Sequence, residues 1–259
     1  MGDYFRYTRS PYYSVVAALP LLLAYELLLL ALGGMGTVEV RNAADVWMRQ
    51  VLASFHLDHR EATATMILLL LVAIPLVRDP AIRLVPRFFA IMFLEAVFYG
   101  LALRFAINFI LVFIFSLFPA PAPVAVLDGA WAGPALTLSA AALPALALPP
   151  GTGFWGAVAL SLGAGLFEEF FFRVILLTAL LGATRVFLAR WLSAVVSVLA
   201  AAFLFALAHY VGSLGEPFAL HSFLFRWVAG LLFTVLYYRR GFAVTAYSHA
   251  CYDIWLLVW

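Results

Sequence analysis

Lysine is absent, and all 15 basic residues are arginine. That removes Schiff-base and serine–lysine chemistry, both of which need an amine whose protonation can be tuned. Cysteine occurs once, at Cys251, so no internal disulfide can form, and its apolar surroundings make it a buried, inert thiol rather than a nucleophile. Charge of either sign is scarce. Of 259 residues, 11% are charged and 66% hydrophobic, against about 25% and 45–50% in soluble domains. Mean hydropathy is +1.07, as expected of a polytopic membrane protein. A net charge of +2 offers no electrostatic grip on nucleic acid. The C-terminal Leu-Leu-Val-Trp is not a CaaX box, and Arg6 breaks the myristoylation pattern that Met1-Gly2 would begin. No internal repeat of fixed period is present.

What the chain has in abundance is long apolar runs. Residues 11–32, 62–77, 87–118, 154–181, 191–210, 222–238 and 242–259 read as membrane spans, giving an all-α bundle of about seven to eight transmembrane helices. The first run exceeds the roughly 7–15 apolar residues of a signal peptide and carries Glu26, so it reads as an uncleaved helix. In the polar stretch 33–60, Trp47, Met48, Val51, Leu52 and Phe55 recur at helical spacing, with Asp45, Arg49 and Gln50 on the other side, as in an amphipathic helix lying at the interface. His56, Asp58 and His59 behind it lack a third ligand and read as a solvated loop. Residues 119–153, rich in alanine and proline, suit a re-entrant or interfacial segment. Gly182 reads as the end of the fourth span, and Arg239-Arg240-Gly241 as a tight turn. Arg6, Arg9, Arg78, Arg83, Arg87, Arg185, Arg190, Arg239 and Arg240 outnumber Arg41, Arg49 and Arg60 across alternate loops, with Arg226 at a helix start. That bias predicts the N-terminus inside and the C-terminus outside.

Against this background, polar residues within the spans stand out. A charge at the centre of a membrane helix costs roughly 2.5–3.5 kcal/mol, yet Glu168, Glu169 and Arg173 share one span. Glu169 and Arg173 are spaced i, i+4 with the acid first, the better orientation for an ion pair. Glu168 lies about 100° around the helix, free to face a cavity. His209 ends the next span, and His249 and Asp253 share a helix face two spans later. Counting about 1.5 Å per residue from the inner ends puts Glu168, His209 and His249 at depths of roughly 20, 27 and 10 Å, so a common site requires tilted helices or other span boundaries. If the helices pack together, carboxylates and imidazoles converge on one polar pocket. No compelling serine, threonine or lysine nucleophile accompanies them, although Ser248 precedes His249. The chemistry left is hydrolysis by water that Glu168 deprotonates, with histidine orienting the water or protonating a leaving amine. Elsewhere Glu26, Glu95 and Arg104 read as members of interhelical pairs, 170–172 as packing or a greasy peptide lining, and Arg239-Arg240 as a topology signal.

Glu-Glu-x-x-x-Arg, then Phe-x-x-x-His, then His-x-x-x-Asp, in that order on late membrane helices, resembles the CPBP or Abi family. That family includes type II CAAX prenyl endopeptidases and bacteriocin-processing or self-immunity membrane proteins. The matching residues run from Glu168 to Asp253, and earlier only the membrane pair Tyr25-Glu26 resembles it. The implied division is an N-terminal transmembrane region, 1–150, and a catalytic transmembrane core, 151–259. The resemblance implies an intramembrane endopeptidase in a bacterial cytoplasmic membrane, acting on a membrane-associated protein or peptide. Carried over, Glu168 activates water, Glu169 and Arg173 support it, His209 binds or polarises the water, and His249 and Asp253 complete the site. Two family views of the chemistry stand open, a metal-free glutamate mechanism and a divalent metal such as zinc on Glu168, His209 and His249. No His-Glu-x-x-His is present, and the metal-free version is preferred. The prenyl endopeptidases carry asparagine where this chain has Asp253, a departure that bears on a prenylated substrate more than on proteolysis. The alternatives are a catalytically silent scaffold or immunity-type protein of the same fold, and a proton-coupled transporter.

Overall fold

Cap and turn chemistry sets most helix boundaries in the computed structural model, which describes residues 2–33, 41–117, 153–212 and 215–258. A short helix α1 (Gly2–Thr8) precedes α2 (Pro11–Ala31), which starts where Ser10 accepts from the Tyr13 amide and Pro11 presets the first turn. Asn42 caps α3 (Ala43–Ala53), and Asp58 with Glu61 forms a reciprocal capping box on α4 (His59–Leu76). Then come α5 (Pro86–Ser116) and a long helix assembled from α6 (Gly153–Gly163), two π-helical stretches (Ala164–Glu168 and Phe170–Leu176) and α7 (Leu177–Thr184). The chain closes with α8 (Arg190–Ala208), α9 (Leu220–Arg240) and α10 (Phe242–Val258). Gly241, at φ +80°, makes the turn between the last two.

The result is a polytopic all-α bundle, and all seven stretches read as spans coincide with helices. Five of them, α2, α4, α5, α8 and α9, are long and apolar enough to cross a membrane. Gly182 does not end its helix, which continues to Thr184. The alanine- and proline-rich stretch read as re-entrant or interfacial lies, up to residue 152, outside the described residues.

Three apolar clusters hold the bundle, and α10 contributes to each. Ala246 packs with Leu22, Tyr25 and Phe167; Tyr252 with Ile107, Val228 and Phe233; Ala243 and Val244 with Tyr13 and Met92. Helices from both halves of the chain thus share the same cores. Small residues let α10 sit close to its neighbours, as is usual between membrane helices. At Gly165 the approach is closest: a Cβ there would run into the Ala246 carbonyl oxygen and the Ala250 backbone.

Within α3 the polar face is divided: Asp45 and Arg49 are buried and Gln50 is exposed, while Trp47, Met48 and Leu52 of the apolar face are half-buried against the core and Val51 is exposed. Asp45 binds Arg41 and Arg49 at 2.8 Å each and accepts from the Tyr25 hydroxyl at 2.8 Å. Glu26 of α2 pairs with both arginines. The charges on α3 are therefore not left in water as an interfacial amphipathic helix would leave them; Asp45 and Arg49 are taken up in pairs with Glu26, Arg41 and Tyr25. His56, Asp58 and His59 are exposed, but only His56 belongs to the loop, since Asp58 caps α4 and His59 begins it.

At one end of the bundle the N-terminal arm, the 77–85 loop and the α9–α10 turn come together. Arg9 donates to the Tyr238 carbonyl at 3.1 Å and the Tyr13 hydroxyl to that of Arg83 at 2.9 Å. Arg240, read as a topology signal, is buried and forms a two-pronged pair with Glu95 of α5, which also accepts from Tyr4. Glu26 and Glu95 thus enter ion pairs, whereas Arg104 binds a backbone carbonyl, that of Trp255, at 2.6 Å.

Candidate active site

Glu169 stands at the junction of the two π-helical stretches, a local geometry that recurs at functional sites. It is fully buried, and Arg173, one turn on, lies 3.0 Å from its Oε1. The guanidinium sits over the Phe205 ring at 4.6 Å and donates to the Gly230 carbonyl at 3.4 Å. A charge this deep persists only when paired, and here ion pair, carbonyl and aromatic face share the task. The same Glu169 Oε1 lies 2.6 Å from His249 Nδ1. Because the carboxylate faces an arginine, it is the acceptor, so Nδ1 carries the hydrogen and Nε2 is left for the site. Phe233 stacks on the imidazole at 4.5 Å and fixes its plane.

Glu168 points elsewhere, as its position around the helix predicts. Its Oε1 accepts from Asn42 Nδ2 at 2.8 Å, and its Oε2 lies 4.0 Å from His249 Nε2. Asp253 Oδ2 is 3.7 Å from the same nitrogen. Both separations exceed a direct hydrogen bond, and a water that touched Nε2 and a carboxylate oxygen together would sit beside the line between them. Glu168, Glu169 and Asp253 therefore meet around the His249 imidazole, with Arg173 behind Glu169, although depth counting separated Glu168 from His249.

His209 stands at the edge. It is the C-cap residue of α8, and its Nδ1 lies 2.9 Å from the Phe205 carbonyl, which can only accept. Its Nε2 is therefore an acceptor in the neutral ring. The Phe205 ring adjoins both imidazoles, edge-on at 5.1 Å from His209 and 6.3 Å from His249. Among the described residues, no three His, Cys, Asp or Glu side chains are grouped so as to hold a metal ion, and this includes Glu168, His209 and His249.

Sequence reasoning missed Asn42. An asparagine ahead of Ala-Ala-Asp is a readable helix cap, but nothing local tells that its amide reaches Glu168. The greasy residues 170–172 divide their roles. Phe172 packs edge-on against Phe205 at 5.1 Å. Phe170, with Leu166 and Phe167, lines an apolar cavity of about 740 Å³ bounded by α2, α3 and α4.

Residues 150–255 match a family model described as type II CAAX prenyl endopeptidase Rce1-like. No curated protein and no solved structure matches the chain. The matched stretch contains all three late motifs, from Glu168 to Asp253, and leaves out Asn42. Three motifs in order on packed helices and the family match agree: over residues 150–255 this chain is similar to the type II CAAX prenyl endopeptidases of the Rce1-like kind.

Proposed function

We propose that this protein is an intramembrane endopeptidase that hydrolyses a peptide bond of a membrane-presented protein or peptide, using water activated by Glu168. The observation that carries the reading is the 4.0 Å separation between Glu168 Oε2 and His249 Nε2, with Asp253 alongside. Water held between them loses a proton to Glu168 as its oxygen attacks the peptide carbonyl. The tetrahedral intermediate collapses with cleavage of the C–N bond, and the proton on Glu168 passes to the leaving amine. Glu169 holds His249 through Nδ1 so that Nε2 orients the water, and Arg173 holds Glu169 in turn. His209, presenting Nε2 as an acceptor, suits a second water or amine proton. Asp253 faces the His249 ring and helps to orient it.

No step passes through a metal ion, and a chelator is expected to leave cleavage by the purified protein unchanged. Loss of activity that zinc restores would replace this mechanism with a metal-assisted one. The apolar cavity beside Phe170 supports entry of the substrate from the bilayer. The protein sits in a bacterial cytoplasmic membrane with its N-terminus inside, a reading that the gathering of inner-loop arginines at one end of the bundle supports.

The test compares new termini in the membrane proteome of cells carrying wild-type protein, Glu168→Ala and Glu168→Gln. Cleavage products are expected with the wild type and absent with either variant, while both variants accumulate in the membrane normally. General-base loss corresponds to a fall of about 10²–10⁴-fold in rate. Undiminished cleavage by Glu168→Gln would overturn the reading.

A further inference from the structure

We infer that Asn42 is a positioning residue for the water-activating carboxylate, so that the site is completed by a side chain from outside the family-matched region; this rests on the role proposed for Glu168. The orientation of the Asn42 amide is settled by its surroundings. Its Oδ1 accepts from the Ala44 amide at 2.9 Å, as the cap of α3. Only the NH₂ group then remains to face Glu168, and it donates to Oε1 at 2.8 Å. Glutamate has three free torsions, and a single-residue anchor at one oxygen removes most of that freedom. With Oε1 tied, Oε2 is the oxygen directed at His249 Nε2, 4.0 Å away.

Asn42 is itself held with unusual firmness. The adjacent Arg41 is buried between Glu26, at 3.2 Å, and Asp45, at 2.8 Å, and Asp45 is bound by Tyr25 and Arg49 as well. These four charges tie the start of α3 to α2. Opposite them the helix that carries Glu168 presents Gly163, where a Cβ would lie 3.1 Å from that of Asn42 and 2.7 Å from a Tyr25 ring carbon. The buried ion network and the missing side chain act together: the first fixes where Asn42 stands, and the second lets it stand against the catalytic helix.

The serine substitution separates positioning from capping. Serine and aspartate cap helices about as well as asparagine, but neither supplies the amide donor. In full-length protein, Asn42→Ser is expected to melt close to the wild type while kcat falls about 10–100-fold, as for other residues that orient a reactive group, and KM stays within about twofold. Asn42→Asp, which sets a second carboxylate against Glu168, is expected to lose kcat and thermal stability together. Asn42→Ala is expected to lose kcat and thermal stability together. Isotope-edited infrared spectra give a readout independent of turnover. The Glu168 carboxylate band, assigned by its loss in Glu168→Gln, is expected to shift in Asn42→Ser. Wild-type kcat in Asn42→Ser, or an unmoved Glu168 band, would overturn the inference. Should the wild-type protein cleave nothing, the proposed function falls, and the infrared shift alone decides whether Asn42 holds Glu168.

Discussion

Arg173 is the side chain whose loss is expected to be felt most widely. It is 2% exposed and neutralises a carboxylate that is 0% exposed. Removing one partner of a buried pair leaves the other charged and unsolvated, at a cost of about 3–5 kcal/mol. Arg173→Met is therefore expected to lower the melting temperature of the detergent-solubilised protein sharply. Adding Glu169→Leu is expected to restore part of that loss while leaving catalysis impaired, because His249 loses its Nδ1 partner. A double variant no more stable than the single one would refute the pairing. At this scale the sequence was readable where partners lie on one helix. Glu169 and Arg173 follow from i, i+4 spacing alone. Glu169 with His249, 80 residues apart, and Glu168 with Asn42, 126 apart, depend on how helices pack, and no local rule carries that.

Among the elements, α10 shows how much rests on small residues. Its approach to Gly165 brings His249 within reach of Glu169. A larger residue at that position must push the two helices apart, since the obstacle is a backbone carbonyl rather than a pliable side chain. Gly165→Val is expected to destabilise the fold by about 1–3 kcal/mol and to reduce cleavage more than heat stability alone accounts for. Intact cleavage at wild-type stability would mean that the contact is not needed. The buried charges of α3 are not legible in the sequence, for a physical reason. Periodicity marks an apolar and a polar face, but it does not tell that part of the polar face meets partners on another helix. Asp45 and Arg49 turn inward because Glu26 and Arg41 wait there. Depth counting, which takes helices as straight and upright, allows a common site only with tilted helices or shifted boundaries, and it gives no sign of the π-helical stretches on either side of Glu169.

For the whole molecule, composition alone identified a polytopic helical protein, because 11% charge cannot clothe a soluble domain of this size. Arginine bias predicts its orientation, and the scarcity of cysteine makes that easy to test. With Cys251 replaced by serine, a membrane-impermeant thiol reagent is expected to label His56→Cys in intact cells and Arg239→Cys only after the membrane is opened. The reverse pattern would invert the orientation. The three apolar clusters meeting on α10 have a further consequence for biogenesis. That helix follows every other site-bearing segment in the chain, so a ribosome synthesises His249 and Asp253 after Asn42, Glu168, Glu169, Arg173 and His209. In a half-made copy Glu168 lacks the imidazole that stands 4.0 Å from it in the closed bundle, and on the proposed mechanism cleavage waits for the last helix.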